Sequence, residues 1–219
     1  MYRIVFVDES QDDIDHFHDY IEGHNLSELL EVVDIPPEPS IQESIDKIFD
    51  SNADAVIADY LLNEYRTIID YNVPYNGVEL VEEILKQREE YPCFVMTSFD
   101  DDAIKSSADV NVVYQKSILH GAEKDSKASF VDRVIQQIKH YRARISDAEE
   151  EFRQLIIQTQ ERNLNAEEES RLKKLDGFLE RIVQKHTAIP DSLKDNSLKK
   201  DLHKLIENTD KLLEKLNGK

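Results

Sequence analysis

Apolar residues in the first 120 positions fall into short, nearly continuous runs, separated by longer stretches in which they recur every three or four residues. The runs at 4–8, 31–35, 55–59, 94–97 and 110–115 predict five β-strands. The stretches between them predict helices. One follows Ser10, with Ile14, Phe17 and Ile21 on one face. A second starts at Ser40, where Ser40-Ile41-Gln42-Glu43 has the capping-box form and Ile41, Ile45, Ile48 and Phe49 supply the stripe. A third follows Asn76-Gly77, with Val78, Leu80, Val81, Ile84 and Leu85 apolar. A short fourth is predicted at Asp100-Asp101-Asp102, carboxylates suited to the positive end of a helix dipole. Strands alternating with helices indicate an α/β, doubly wound parallel sheet, and strands apolar on both sides indicate that helices cover both faces.

Beyond position 121 the pattern changes. No Gly or Pro occurs between Gly121 and Gly177, and Val131, Val134, Ile138, Tyr141, Ile145, Ala148, Phe152, Leu155 and Thr159 hold a 3,4 spacing. A repeat sustained over four heptads predicts one helix running out of the α/β part into a coiled-coil-like stalk. Ser146-Asp147-Ala148-Glu149 offers the alternative of a fresh start there. A further helix is predicted after the cap Asn165-Ala166-Glu167-Glu168, with Leu172, Leu175, Leu179 and Ile182 as its stripe, ending before Ile189-Pro190. A last one is predicted from Ser197, with Leu198, Leu202, Leu205, Thr209, Leu212 and Leu216. So little leucine-striped helix hides limited apolar surface alone, which predicts a bundle, or a homodimer through these helices. The chain thus divides into an α/β domain over 1–142 and a helical or coiled-coil interaction region over 143–219.

Charge narrows the partners. The net charge of −19 is concentrated in residues 1–145, with 13 Lys and Arg against 30 Asp and Glu, leaving 14 against 16 in residues 146–219. Nucleic-acid binding normally requires a basic face, and neither half has one, so no nucleic-acid partner is expected. No apolar stretch approaches the ~18 residues of a membrane span, and the chain enters a strand at once, so a cytoplasmic protein with no membrane partner is expected. The single Cys93 lies in an apolar strand, where a buried, inert thiol is expected.

The candidate chemistry sits at the strand ends. Asp8 and Glu9 close the first run, Asp59 the third, Thr97 the fourth, and Lys116 follows the fifth. Ligands of open parallel sheets bind outside the carboxyl ends of the strands, so these side chains converge on one site. Hard oxygen ligands suit Mg2+, and a positioned carboxylate can act as a nucleophile on phosphorus.

This constellation, with Asn76-Gly77-Val78-Glu79-Leu80 at a helix start, resembles the receiver domain of two-component response regulators over roughly residues 1–142. The resemblance implies a flavodoxin-like five-stranded sheet in the order 2-1-3-4-5. It also implies Asp59 as phosphoacceptor, and Mg2+ held by Asp8, Glu9, Asp59 and the Leu61 backbone carbonyl. Lys116 and Thr97 would contact the phosphoryl oxygens, and a sensor histidine kinase or histidine phosphotransfer protein would be the donor. With no catalytic motif downstream, the chain is expected to signal to another protein by contact and not to act as an enzyme. The alternative is a degenerate receiver serving as a constitutive interaction module. A phosphotransfer or phosphatase role for the C-terminal helices would rest on His186 or His203, neither of which sits in a recognisable motif.

The pattern departs from the family in three places. The segment between Asp59 and Gly77 is about ten residues longer than usual, adding most of 63–75 with three tyrosines and Arg66, a lid, a recognition surface or a tolerated insertion. Ser117 stands where receivers usually carry a cis proline, so the turn is expected to be trans or strained. The usual aromatic three residues before the lysine is Val113 here, with Tyr114 next to it and facing the other side of the sheet.

Overall fold

The computed structural model of the chain describes residues 1–24, 26, 28–63, 69–98, 110–120 and 129–183. The expected helices at Asp100 and Ser197 lie outside the described residues, as do Tyr65, Arg66, His186 and His203.

Five strands form a single parallel sheet: β1 (Tyr2–Val7), β2 (Leu30–Ile35), β3 (Ala55–Asp59), β4 (Cys93–Thr97) and β5 (Val113–Gln115). Their order is β2-β1-β3-β4-β5, the doubly wound, flavodoxin-like architecture. Helices α1 (Gln11–Gly23), α2 (Ile41–Asp50), α3 (Gly77–Gln87) and α4 (Phe130–Glu161) supply the two outer layers. The two strand faces lead to two separate cores. Ile4, Phe6, Ile57, Phe94 and Met96 pack with Ile14, Phe17 and Ile21 of α1 and with Phe130, Val134 and Ile138 of α4. Val5, Val7, Val56, Ala58 and Val95 pack with Ile45, Ile48 and Phe49 of α2 and with Val78, Val81 and Ile84 of α3. Alternate residues of each strand serve opposite layers, so both faces of β3 and β4 are buried.

The fifth strand is shorter than the apolar run predicts. Val110–Val112 coils into a 3-10 turn, and only Val113, Tyr114 and Gln115 pair, with Val95, Met96 and Thr97. The run lies at the sheet edge, where a ladder partner exists on one side only, so apolarity alone does not keep it extended. Cys93 is buried, and the apolar surroundings push its thiol pKa up, out of reach of reaction at neutral pH.

Polar side chains set the helix starts. Ser10 and Ser40 accept from the amides of Asp13 and Glu43, and Asn76 with Glu79 forms a full reciprocal box at α3. Ser129 and Asp132 do the same at α4, which then runs unbroken for 32 residues. Ser146-Asp147-Ala148-Glu149 therefore lies in mid-helix, and position 142 falls inside the same helix. The chain reverses at residues 162–165. Helix α5 (Ala166–Val183) begins at the box formed by Asn165 and Glu168. Ala148, Leu155 and Leu175 are buried between the two helices, flanked by Phe152, Leu172, Phe178 and Leu179, and Arg171 pairs with Glu151 across the seam.

The long connection after β3 is tied down where it is described. Ile69, Val73 and Tyr75 are buried in the α2/α3 core. The Tyr71 hydroxyl donates to the Pro37 carbonyl at 2.8 Å, and the Tyr75 hydroxyl reaches the Glu38 carbonyl at 2.8 Å and Ser44 Oγ at 2.6 Å. Ser44, on the buried face of α2, accepts from the Glu38 amide at 2.8 Å and gains a second partner, the Tyr75 hydroxyl, from this connection. Tyr75→Phe therefore removes one of the two partners of Ser44 Oγ and the donor to the Glu38 carbonyl, and is expected to cost about 1–3 kcal/mol of stability in urea denaturation. An unchanged midpoint would mean that the connection is not anchored there.

Candidate functional site

Parallel pairing delivers the polar residues to one rim. β1 and β3 are neighbours, with Val7 beside Ala58, so Asp8 and Glu9 leave β1 beside Asp59 at the end of β3. Asp59 pairs with Met96, which puts Thr97 one step beyond it, and Thr97 pairs with Gln115, after which Lys116 begins a 3-10 turn. All five side-chain candidates are buried: Asp8, Glu9, Asp59, Thr97 and Lys116. The strand order reverses between β1 and β3, where ligands of such sheets bind.

The loops fix the carboxylates. The Ser10 amide donates to Asp8 Oδ1 at 2.8 Å, and the Leu61 amide donates to Asp59 Oδ2 at 3.0 Å. The Tyr60 amide donates to the Met96 carbonyl, and the Gly77 amide to the Tyr60 carbonyl, closing the chain after Asp59 against both β4 and α3. That closure requires a glycine: a Cβ at position 77 would lie 2.0 Å from the Asp59 carbonyl oxygen.

Asp8, Glu9 and Asp59 each offer a carboxylate oxygen, and these oxygens lie within 4.8 Å of one another. Burial raises the Asp8 carboxyl to about 7, with Lys116 opposing the rise and Asp59 adding to it. Burial likewise raises Asp59 to about 6, against the pull of Lys116 and with the push of Glu9. Desolvation works against the Lys116 ammonium, yet Asp59 and Asp8 overcome it and its pKa rises. The ammonium lies 2.8 Å from Asp59 Oδ1 and 3.1 Å from Asp8 Oδ2. Three converging, desolvated carboxylates with one lysine between them fit a hard divalent cation such as Mg2+, which takes oxygen ligands and would offset their mutual repulsion. Leu61 enters the site through its amide; its carbonyl as a ligand remains an implication of the resemblance.

One contact is not evident in the sequence. Asp13 Oδ2, in the first turn of α1, lies 2.7 Å from Lys116 Nζ. Helix α1 carries acids at Asp12, Asp13, Asp15, Asp19 and Glu22, and nothing in their spacing distinguishes the one that reaches the lysine.

The three family departures take definite form. No peptide bond is cis among the described residues, so Lys116–Ser117 is trans, within the turn Lys116–His120. Val113 packs toward the α2/α3 core, while Tyr114 packs toward the opposite one, its ring 6.0 Å from Phe94 and 4.8 Å from Phe130. The two ends of the long connection line a cleft of about 380 Å³ with Leu61, Leu62, Asn63, Tyr75 and Asn76.

No protein-family model matches the chain, and no curated protein matches it. Among solved structures it is similar to the anti-anti-sigma factor PhyR from Bartonella quintana, at 15% identity and a TM-score of 0.43. That match covers 67% of this chain and 50% of PhyR, so the chain spans about half the length of that protein. It is also similar to the RcsB response regulator of Salmonella typhimurium, at 13% identity and a TM-score of 0.39, covering 82% of this chain and 93% of RcsB. Likeness at this level adds nothing to the reading of the site, whose basis is the topology and the side chains. No helix among the described residues is long and apolar enough to cross a membrane.

The raised carboxyls set a pH dependence. Asp8 holds its proton to about 7 in the folded protein but to about 4 when unfolded, so its contribution is favourable below pH ~4 and is lost as pH rises through 7. Asp8→Asn cannot ionise. In chelator, its stability relative to wild type is expected to rise between pH 4 and 8 by on the order of 2–4 kcal/mol, and Mg2+ should narrow the gap. A pH-independent difference in denaturant midpoints would contradict this.

Proposed function

We propose that the chain is a response regulator whose Asp59 accepts a phosphoryl group from the phosphohistidine of a sensor histidine kinase or a histidine phosphotransfer protein. The observation that carries the reading is the buried set Asp8, Glu9, Asp59 and Lys116 at the carboxyl rim of a β2-β1-β3-β4-β5 sheet. A carboxylate oxygen of Asp59 forms the new bond to phosphorus while the phosphorus–nitrogen bond to the donor imidazole breaks. The electron pair leaves with the imidazole, which then takes up a proton. Asp59 is oriented for this by the Leu61 amide on its other oxygen. Lys116 is close enough to donate to the incoming phosphoryl oxygens, and Thr97, one residue beyond Asp59's partner in β4, supplies a hydroxyl on the adjoining strand end. Mg2+, held by Asp8, Glu9, Asp59 and the Leu61 carbonyl, would neutralise charge on the phosphoryl group.

Output in this reading is protein–protein contact through the helical region, with a downstream protein or a second copy of the chain. Its support is the continuity of α4, which packs on the sheet at Phe130, Val134 and Ile138 and pairs with α5 at Ala148 and Leu155. A change at the sheet rim has a rigid element along which to reach the hairpin. The protein itself carries no catalytic output in this reading and belongs in the cytoplasm with its kinase.

A second reading, a constitutive interaction module, is favoured by one observation. Tyr114, half-buried, packs its ring against Phe94 and Phe130, so the aromatic nearest the lysine is tied to the core. Phosphorylation separates the two. Incubation with Mg2+ and a small-molecule phosphodonor is expected to add one phosphate to wild type by intact mass, and none to Asp59→Asn. Equal labelling of the variant would remove Asp59 as acceptor, and no labelling of either would favour the module.

A further inference from the structure

An ammonium has three N–H donors, and the structure gives Lys116 three carboxylates. Asp59 Oδ1 is at 2.8 Å, Asp8 Oδ2 at 3.1 Å and Asp13 Oδ2 at 2.7 Å. The first two belong to the group that can converge on a cation; Asp13 does not. It comes out of the first turn of α1, and its side chain keeps 26% exposure, against 1% for Asp8 and 9% for Asp59. Its backbone is fixed relative to the site. The Asp13 amide donates to Ser10 Oγ at 3.4 Å, and the Ser10 amide donates to Asp8 Oδ1 at 2.8 Å. The helix cap and the candidate metal ligand are thus one connected unit.

We propose that Asp13 is a positioning residue for Lys116, a second anchor that draws the ammonium toward α1 and thereby sets the balance between cation binding and phosphoryl binding at Asp59. The inference rests on the phosphoacceptor reading above. Two effects of opposite sign follow from one negative charge. By holding Lys116, Asp13 lessens its hold on Asp8 and Asp59, whose oxygens are then freer for a cation. By occupying one N–H and adding its own charge, Asp13 opposes a phosphoryl group, which brings a charge of about −2 to the same ammonium. Asp13 thus favours the unphosphorylated, cation-bound site and weakens the phosphorylated one.

The test uses the full chain as wild type, Asp13→Asn and Asp13→Glu, with isothermal titration of Mg2+ alone and then of beryllofluoride at saturating Mg2+. Asp13→Asn is expected to bind beryllofluoride about 3–10-fold tighter and Mg2+ several-fold more weakly, as for a removed charge acting through a partly screened medium. Asp13→Glu, which keeps the charge, should stay near wild type in both. A merely structural role would loosen the site and weaken both ligands together, so opposite signs are the diagnostic. Should the Asn variant fail to fold, Asp13→Ser supplies the same neutral replacement. Affinities that move in the same direction, or beryllofluoride binding that is unchanged or weaker, would overturn the role of Asp13 while leaving Asp59 as acceptor. No beryllofluoride binding by wild type would overturn the phosphoacceptor reading, and this inference with it.

Discussion

The Lys116 ammonium is the interaction on which the arrangement of the rim depends. Asp8, Glu9 and Asp59 are nearly inaccessible to water, and burying several carboxylates together is costly unless a positive charge compensates. One lysine supplies part of that charge, and its position also has a mechanical effect. It starts the turn after β5, an edge strand of three residues with one ladder partner, and its ion pairs carry that edge across to β1, β3 and α1. Removing Lys116 would leave the acidic cluster uncompensated and the edge without its polar tether. The compensation is incomplete: Asp8 and Asp59 remain raised despite the lysine, which is why the site suits a further cation.

Everything else at the rim follows from how the sheet is wound. With β1 and β3 adjacent and the crossovers leaving in opposite directions, no helix can cover the point where Asp8 and Asp59 emerge. Where the chain leaves β1 and β3 it is pinned through backbone groups: Ser10 to Asp8, Leu61 to Asp59, and Gly77 to Tyr60. Gly77 admits the start of α3 against the Asp59 carbonyl, a distance at which any side chain would collide. The candidate acceptor is therefore held by secondary-structure packing on both faces of β3, and its side chain has little freedom except toward the open rim.

The parts of this arrangement that could be read in the sequence share a physical cause. Strands buried on both faces have to be apolar throughout, so 55–59 and 94–97 stand out, and a charged or hydroxylic residue closing such a run marks its rim. Helix starts could be read at Ser10, Ser40 and Asn165 because a capping side chain must sit at one fixed offset from the amide it satisfies. What stayed hidden depends on tertiary geometry. Asp13 is one acid among five on α1, and only the path of the chain after β5 decides which of them meets Lys116. Ser44 looks like a solvent residue within an apolar stripe until Tyr75 arrives from 31 positions away. The run at 110–115 is apolar enough for a full strand, but pairing at an edge is one-sided, and half of it coils.

The long connection after β3 and the long helix α4 make this chain more than a bare rim. The first brings buried tyrosine and aliphatic residues against α2 beside the candidate acceptor; the second continues from the sheet layer into the hairpin with α5. Both gain significance only if the rim binds a cation, since that is the event by which Asp59 becomes a phosphoacceptor in this account. The most direct measurement is the anomalous scattering of Mn2+, a hard divalent substitute for Mg2+, in crystals of the wild-type protein. The account predicts one strong peak within coordination distance of carboxylate oxygens of Asp8, Glu9 and Asp59. A peak elsewhere, or none at the rim at millimolar Mn2+ near neutral pH, would contradict it.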